Sequence, residues 1–409
     1  MDASSPITID ESSARYEGWR IVAVCFLVAT FGWAFGFYGQ SVYLAELHRA
    51  HGWPASLISG ATTFFYLFGA LVVVFVSEAV KKFGPRGCLI AGTCATAIAA
   101  IALGQVREPW QLYIVAAMLA FGWAGMSLGM ITNTLGLWFN KKRGMAISLA
   151  LNGASFGGIA GVPLLVIAIA HFGFSTAMIV AAGVMLVLVV PTVLIFVGKP
   201  PLLLHGAVTS TADAVSSTQI RSRALRDIAF LSVTTAFALV LFAQVGFIVH
   251  LISFLDPVIG RASATTAIAL LTAMAVIGRV LFSTVIDRLN QRLASALSFI
   301  SQAAALLVLI NFRNEAALIA ACGVFGFSVG NLITLPSLIV QREFDPHSFG
   351  VLVSLQTAIA QVTYAFGPGV VGVLRDLSGS YTLPFYGCIA LELTAAVLIM
   401  IRGRRAKAA

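Results

Sequence analysis

Polar and apolar residues along this chain separate into long blocks instead of alternating every second or fourth position. Apolar stretches near the length that crosses a bilayer core, about 20 residues, run over 19–45, 57–80, 87–106, 110–138, 144–170 and 174–197. After a polar interval they resume over 227–255, 264–287, 293–311, 315–340, 348–374 and 381–401. The breaks are short and collect prolines and charges, as in Arg107-Glu108-Pro109 and Lys199-Pro200-Pro201. The pattern predicts an all-α membrane protein of twelve transmembrane helices. Residues 1–18 read as a polar N-terminal tail, 19–197 as one six-helix half, 227–401 as a second, and 402–409 as a basic tail. The interval 198–226, rich in Ser, Thr and Ala with Arg221, Arg223 and Arg226, reads as a flexible linker.

Composition agrees with that reading. Of 409 residues, 59% are hydrophobic and 10% charged, against about 25% charged in a soluble protein. The net charge of +9 would suggest nucleic acid in a soluble chain; here it follows from topology. With the N-terminus in the cytoplasm and alternating helices, 19 Lys and Arg residues fall on the cytoplasmic side and 5 in outer loops. That asymmetry is the positive-inside signature, and it places both termini in the cytoplasm of a plasma membrane, a bacterial inner membrane being the first expectation. The basic tail Arg402–Lys407 suits the anionic inner leaflet. Cys25, Cys88, Cys94, Cys322 and Cys388 lie in apolar segments without metal-ligand or CxxC spacing, so they read as small buried residues and no metal or cofactor is expected.

The two halves echo each other at an offset of 206 residues. Gly144-Met-Ala-Ile-Ser148-Leu149 recurs as Gly350-Val-Leu-Val-Ser354-Leu355, Gly161 answers Gly367, and Ser77–Arg86 answers Ser283–Arg292. Parallel repeats with a site between them at mid-membrane are a transporter architecture.

One charge stands inside this apolar frame. Between Ala264 and Ile286 the only ionised residue is Arg279, near the middle of a spanning segment. A guanidinium there costs several kcal/mol and cannot shed its proton. Such a residue faces a polar cavity and pairs with an anion or a carboxylate, so Arg279 is the leading substrate ligand.

The segment Ser283-x-x-x-Asp287-Arg288-x-Asn290-x-Arg292, with its counterpart Ser77-x-x-x-Lys81-Lys82-Phe83-Gly84-Pro85-Arg86, resembles the loop signature G-x-x-x-D-R-x-G-x-R of the major facilitator superfamily. The resemblance implies a gating loop built from Asp287, Arg288, Arg292, Lys81 and Arg86. Lysine replaces the signature aspartate in the first copy, with Glu78 one turn earlier. Within that superfamily, Val249-His250-Leu251 through Asp256, Gly278-Arg279 and Trp138-Phe139 with Arg143-Gly144-Met145-Ala146 resemble the monocarboxylate transporter-like and oxalate/formate antiporter group. The resemblance implies that Arg279 binds the substrate carboxylate. The chain departs from the group at Ala275, where animal members have aspartate, at Gly39, where they have lysine, and in the eleventh helix, where oxalate carriers add a lysine. A single buried cation then suits a monoanion.

In this fold helices one, four, seven and ten line the cavity, with help from two, five, eight and eleven. That selects Tyr38, Asn133, Asn331 and Tyr364 as further substrate-binding candidates among the polar residues at spanning depth, a set that also holds Tyr66. His250 and Glu392 are the candidate proton sites, each with a structural alternative. The expected function is secondary active transport of a small organic monoanion such as lactate or pyruvate, proton-coupled, by a monomer in the lipid bilayer. The alternative is a proton-driven exporter of amphipathic drugs or metabolites, for which Gly144, Gly153, Gly157 and Gly161 give a partial motif. No HExxH, nucleotide loop or convergent carboxylate pair suggests an enzyme.

Overall fold

The computed structural model describes residues 11, 13, 15–139, 142–198, 217–285, 289–332, 334–345 and 348–401. Ten helices among them are long and apolar enough to cross a membrane. The longest, Ile228–Val285, turns at Gly260 (φ 77°, ψ 162°), a backbone region that favours glycine, and is two helices in space. The shorter apolar helix Thr382–Leu398 completes a set of twelve. In chain order they are α1 (Gly18–His51), α2 (Ala55–Val73), α3 (Glu78–Leu103), α4 (Pro109–Gly136), α5 (Arg143–Phe172), α6 (Phe174–Phe196), α7 (228–259), α8 (261–285), α9 (Gln291–Asn311), α10 (Glu315–Glu343), α11 (Val351–Ser378) and α12 (Thr382–Leu398).

Two differences from the hydropathy reading have clear causes. The first helix continues past the apolar stretch to His51, so Glu46, His48 and Arg49 are helical. Its basic last turn complements the helix dipole, and Gly52 (φ 67°) ends it. Part of the expected linker is also helical, over Ser217–Ala224. Ala224 is buried with Phe230, Val340 and Leu352, so this segment is packed onto the second half. Residues 199–216 lie outside the described set, as do Asp287, Arg288 and the tail 402–409.

The repeat is visible in the breaks of the helices. α4 is interrupted between Ala124 and Leu128, where the Ser127 hydroxyl accepts from the Met130 amide at 3.5 Å. α10 turns at Thr334, just before Leu335. Thr334 follows Ser127 by 207 residues, one from the offset of the sequence repeat. α1 packs on α5 as α7 packs on α11. Gly153, Gly157 and Gly161 set the α1–α5 approach: a Cβ on any of them would strike Phe26, Thr30 or Ala34. That helix-packing role accounts for three of the four glycines of the partial exporter motif, and Gly144 meets no neighbour.

Candidate functional site

The two halves meet at the end of the bundle away from the termini. There α2 and α11 run together, and their side chains mesh by size. Asp376 of α11 caps the start of α2: its Oδ1 accepts from the Ala55 amide at 3.3 Å and its Oδ2 from the Ser56 amide at 2.7 Å. A carboxylate at a helix N-terminus satisfies orphan amides and complements the dipole. One turn deeper, Gly372 lies against Ser59, leaving no room for a Cβ. Deeper again, the Gly369 amide donates to Thr63 Oγ1 at 3.1 Å. At the bottom of the seam, Tyr66 and Tyr364 meet edge to face, ring centroids 5.7 Å apart. Beside it, Arg49 pairs with Asp256 at 2.5 Å and Arg261 with Glu46. These hydrogen bonds and ion pairs between the halves cluster at one end, so the molecule is closed there.

Below the tyrosine pair lies Arg279. α8 and α10 touch backbone to backbone around it: a Cβ on Gly278 would strike the Phe327 carbonyl, and one on Gly330 the Ala275 carbonyl. This contact brings the Gly330 carbonyl to the Arg279 Nε–H, which donates to it at 3.3 Å. Among the described residues no carboxylate lies within ion-pair distance of the guanidinium. Tyr38 of α1 is within electrostatic reach of Arg279, and Tyr38 in turn neighbours Tyr66. A Cβ on Gly158 of α5 would strike both Tyr38 and Thr272, the latter two turns before Arg279 on α8, so Arg279 lies on the helix that meets α1 and α5 of the other half.

The predicted site residues thus divide. Tyr38 is within electrostatic reach of Arg279 and is joined through Phe37 and Tyr66 to Tyr364. Asn133 and Asn331 each bond within their own helix, Nδ2 to the Gly129 carbonyl at 2.8 Å and to the Phe327 carbonyl at 3.4 Å. Asn331 also follows Gly330 near the end of the first part of α10 and lines a groove with Phe282, Leu293 and Phe327. Tyr66, one polar residue among several in the sequence, is 3% exposed, and its hydroxyl has no hydrogen-bond partner among the described residues. A deficit of that kind is invisible in sequence.

Of the gating-loop set, Arg292 is the best defined, and its contacts are within one half. It is 1% exposed, bridges to Glu343 through Nε and Nη2, both at 2.7 Å, and donates to Ser232 Oγ and to the carbonyls of Ala229, Ile399 and Ile401. It locks the ends of α7, α9, α10 and α12 together. Lys81 and Arg86 are exposed, and Lys82 lies over the Phe83 ring at 5.2 Å. Asp287 and Arg288 are outside the described residues.

His250 is fully buried at the back of the α2–α11 seam. Its Nε2 lies 3.0 Å from the Pro368 carbonyl and its Nδ1 3.1 Å from the Tyr381 hydroxyl. A single neutral tautomer satisfies both, donating to the carbonyl and accepting from the phenol. Glu392 is fully buried on α12 with neither carboxyl oxygen partnered, and the Gln302 Oε1 is unpartnered as well. An ionised carboxylate would be uncompensated there.

Twelve apolar helices frame Arg279, which has no ion-pair partner among the described residues. Residues 24–368 match the Major Facilitator Superfamily, so the chain belongs to that family. It is 27% identical over 384 residues to the MFS-type transporter pynF of Aspergillus niger, covering 91% of this chain and 84% of that one. It is 25% identical over 381 residues to Monocarboxylate transporter 13 of Bos taurus, covering 90% and 85%. Its identity to the aspyridones efflux protein apdF of Emericella nidulans is 22% over 391 residues, covering 92% and 74%. Among solved structures the fold resembles a mutant form of the nucleoside transporter NupG, with a TM-score of 0.77, 11% identity, and coverage of 93% and 99%.

Proposed function

We propose that this protein is a secondary carrier of a small organic monoanion, and that Arg279 holds the substrate carboxylate. The observation that carries the reading is the guanidinium itself, at spanning depth, with a carbonyl contact and, among the described residues, no carboxylate beside it. The similarity to Monocarboxylate transporter 13 supports the same substrate class. Tyr38 and Tyr364 complete the anion's surroundings, while Asn133 and Asn331 keep secondary roles in shaping the broken helices α4 and α10.

The closed end would be the outer one, given the basic residues at the end with the termini, so the form described faces the cytoplasm. Transport then consists of rocking the halves about Arg279: the α2–α11 seam opens as the opposite end closes. Proton coupling, a monomeric carrier and residence in the plasma membrane belong to the same proposal. Glu392, buried and unpartnered, is the better placed of the two proton candidates, because His250 has both ring nitrogens engaged.

A second reading is export of an amphipathic metabolite, favoured by the similarity to the efflux protein apdF and by the aromatic residues around the seam. Uptake of radiolabelled lactate and pyruvate into proteoliposomes tests the first reading, with and without an inward proton gradient. Uptake that is lost in Arg279→Gln supports anion carriage, and stimulation by the gradient supports symport. No uptake by correctly inserted wild type, together with gradient-driven extrusion of amphipathic dyes, would favour the exporter.

A further inference from the structure

Two apolar cavities on the second half abut one another. The first, of about 370 Å³, lies between Leu270 and Met274 of α8, Ser301 of α9, and Ala320, Val324 and Phe327 of α10. The second, of about 300 Å³, shares Ser301 and Phe327 with it and continues along Leu297 and Leu293 to Leu289 and Asn290. The resulting groove faces lipid. α9 packs on α10 and α12 of its own half, and Leu297 and Val324 on the groove's walls are 58% and 50% exposed at spanning depth. The hydroxyls on its floor are engaged, Ser298 with the Ala294 carbonyl and Ser301 with Ser328. An occupant therefore meets an apolar lining there.

Length and charge select the occupant. From Asn290 to Ser301 on α9 the groove covers about 16 Å at 1.5 Å per residue, close to one leaflet's share of a hydrocarbon core about 30 Å thick. Its mouth is at the end of the bundle that holds the termini, since Arg292, two residues beyond Asn290, donates to the Ile401 carbonyl. At that mouth Arg342 is exposed, and its Nη1 donates to the Leu289 carbonyl at 3.2 Å. Among the described residues Arg342 has no ion-pair partner, the adjacent Glu343 being engaged by Arg292. Asn290, also exposed, accepts from the Arg292 and Leu293 amides through Oδ1 and has its Nδ2 to give. A guanidinium with donors to spare suits a phosphate, and a basic residue beside an anionic leaflet attracts its headgroups.

We propose that this groove holds an anionic phospholipid, with one acyl chain between α8, α9 and α10 and the phosphate on Arg342. The site is separate from the carboxylate reading of Arg279 and stands without it.

The test is native mass spectrometry of the full-length chain titrated with dioleoylphosphatidylglycerol or dioleoylphosphatidylcholine. It compares wild type with Arg342→Gln, Ser301→Leu and Ala320→Phe, each checked for folding by thermal melting. Wild type should hold the phosphatidylglycerol about fivefold more tightly, the scale that one basic residue at an anionic surface supplies. Arg342→Gln, at an exposed position, should bring the two lipids level. Ser301→Leu where the cavities meet, and Ala320→Phe at the exposed deep end, should each weaken both lipids alike. Equal binding of the two lipids by wild type, or a preference kept in Arg342→Gln, would overturn the proposal. Lipid binding unchanged in folded Ser301→Leu and Ala320→Phe would also overturn it, by placing the lipid elsewhere. A dimer that these two variants dissolve, with lipid binding the same in all four proteins, would assign the groove to a second copy of the chain and overturn it as well.

Discussion

Arg279 and Arg292 are both arginines of the second half, thirteen positions apart in the chain, and they are treated in opposite ways. Arg292 is sealed inside one half, with Glu343 as counter-charge and its remaining donors spent on Ser232 and three carbonyls. Among the described residues Arg279 has one hydrogen bond, to a carbonyl at 3.3 Å, and no counter-charge. A buried charge that is fully paired belongs to the scaffold, since removing it strands its partners. A charge left short of partners, where two moving bodies meet, is available to something that comes and goes. Asp376 belongs with Arg279 in this respect: its α2 partners lie across the boundary, so the contact exists only while that end is closed.

The contrast makes ordered predictions. Arg292→Ala should have the largest effect, because it strands the Glu343 carboxylate and several acceptors; about 3–5 kcal/mol of stability should go. Thermal melting of the detergent-solubilised protein reads this as a large drop or a loss of folded yield, whereas Arg279→Gln should melt close to wild type. Gly330→Val comes next. Its side chain would collide with the Ala275 carbonyl and push α8 from α10, at about 1–3 kcal/mol. Melting should fall moderately, and ligand affinity should fall with it because the anchor of Arg279 moves.

Asp376→Asn should cost about 1 kcal/mol in the closed form, the scale of a helix cap, with little change in melting. The reading is conformational: thiol-reagent labelling of a cysteine placed at Ser59, which is buried in the closed form, should become faster as the open form gains population. Unchanged labelling would show that the cap does not hold the seam. Arg49→Ala should be the mildest. Arg49 is 52% exposed, and exposed pairs contribute up to about 1 kcal/mol, so a slight acceleration of the same labelling is the outcome to look for.

The fold was legible because bilayer length and basic-residue asymmetry leave a strong one-dimensional record. All twelve spans appear near their expected places, and the offset of 206 residues returns, to within one residue, in the turns of α4 and α10. Arg279 was legible for the same reason, as the lone charge in an apolar run. What hydropathy could not carry is which face of a helix looks inward. Helix number alone selects Asn133 and Asn331, and their side-chain bonds, to carbonyls four residues earlier, do not say which way each faces. Tyr66 was one polar residue among many until its neighbours Tyr38 and Tyr364 arrived from positions far apart in the chain. The pairing of Arg292 with Glu343, across 51 residues, likewise has no local signal.

The measurement that bears most directly on the account is carboxylate-induced thermal stabilisation of wild type against Arg279→Gln. A ligand that binds only the folded state adds RT ln(1 + [L]/Kd) of stability, so the melting temperature rises with ligand concentration. The account predicts a dose-dependent rise with a monocarboxylate in wild type and none in Arg279→Gln, whose ligand-free melting temperature stays close to wild type. An equal rise in both proteins would mean that the anion binds elsewhere and that Arg279 is not its ligand.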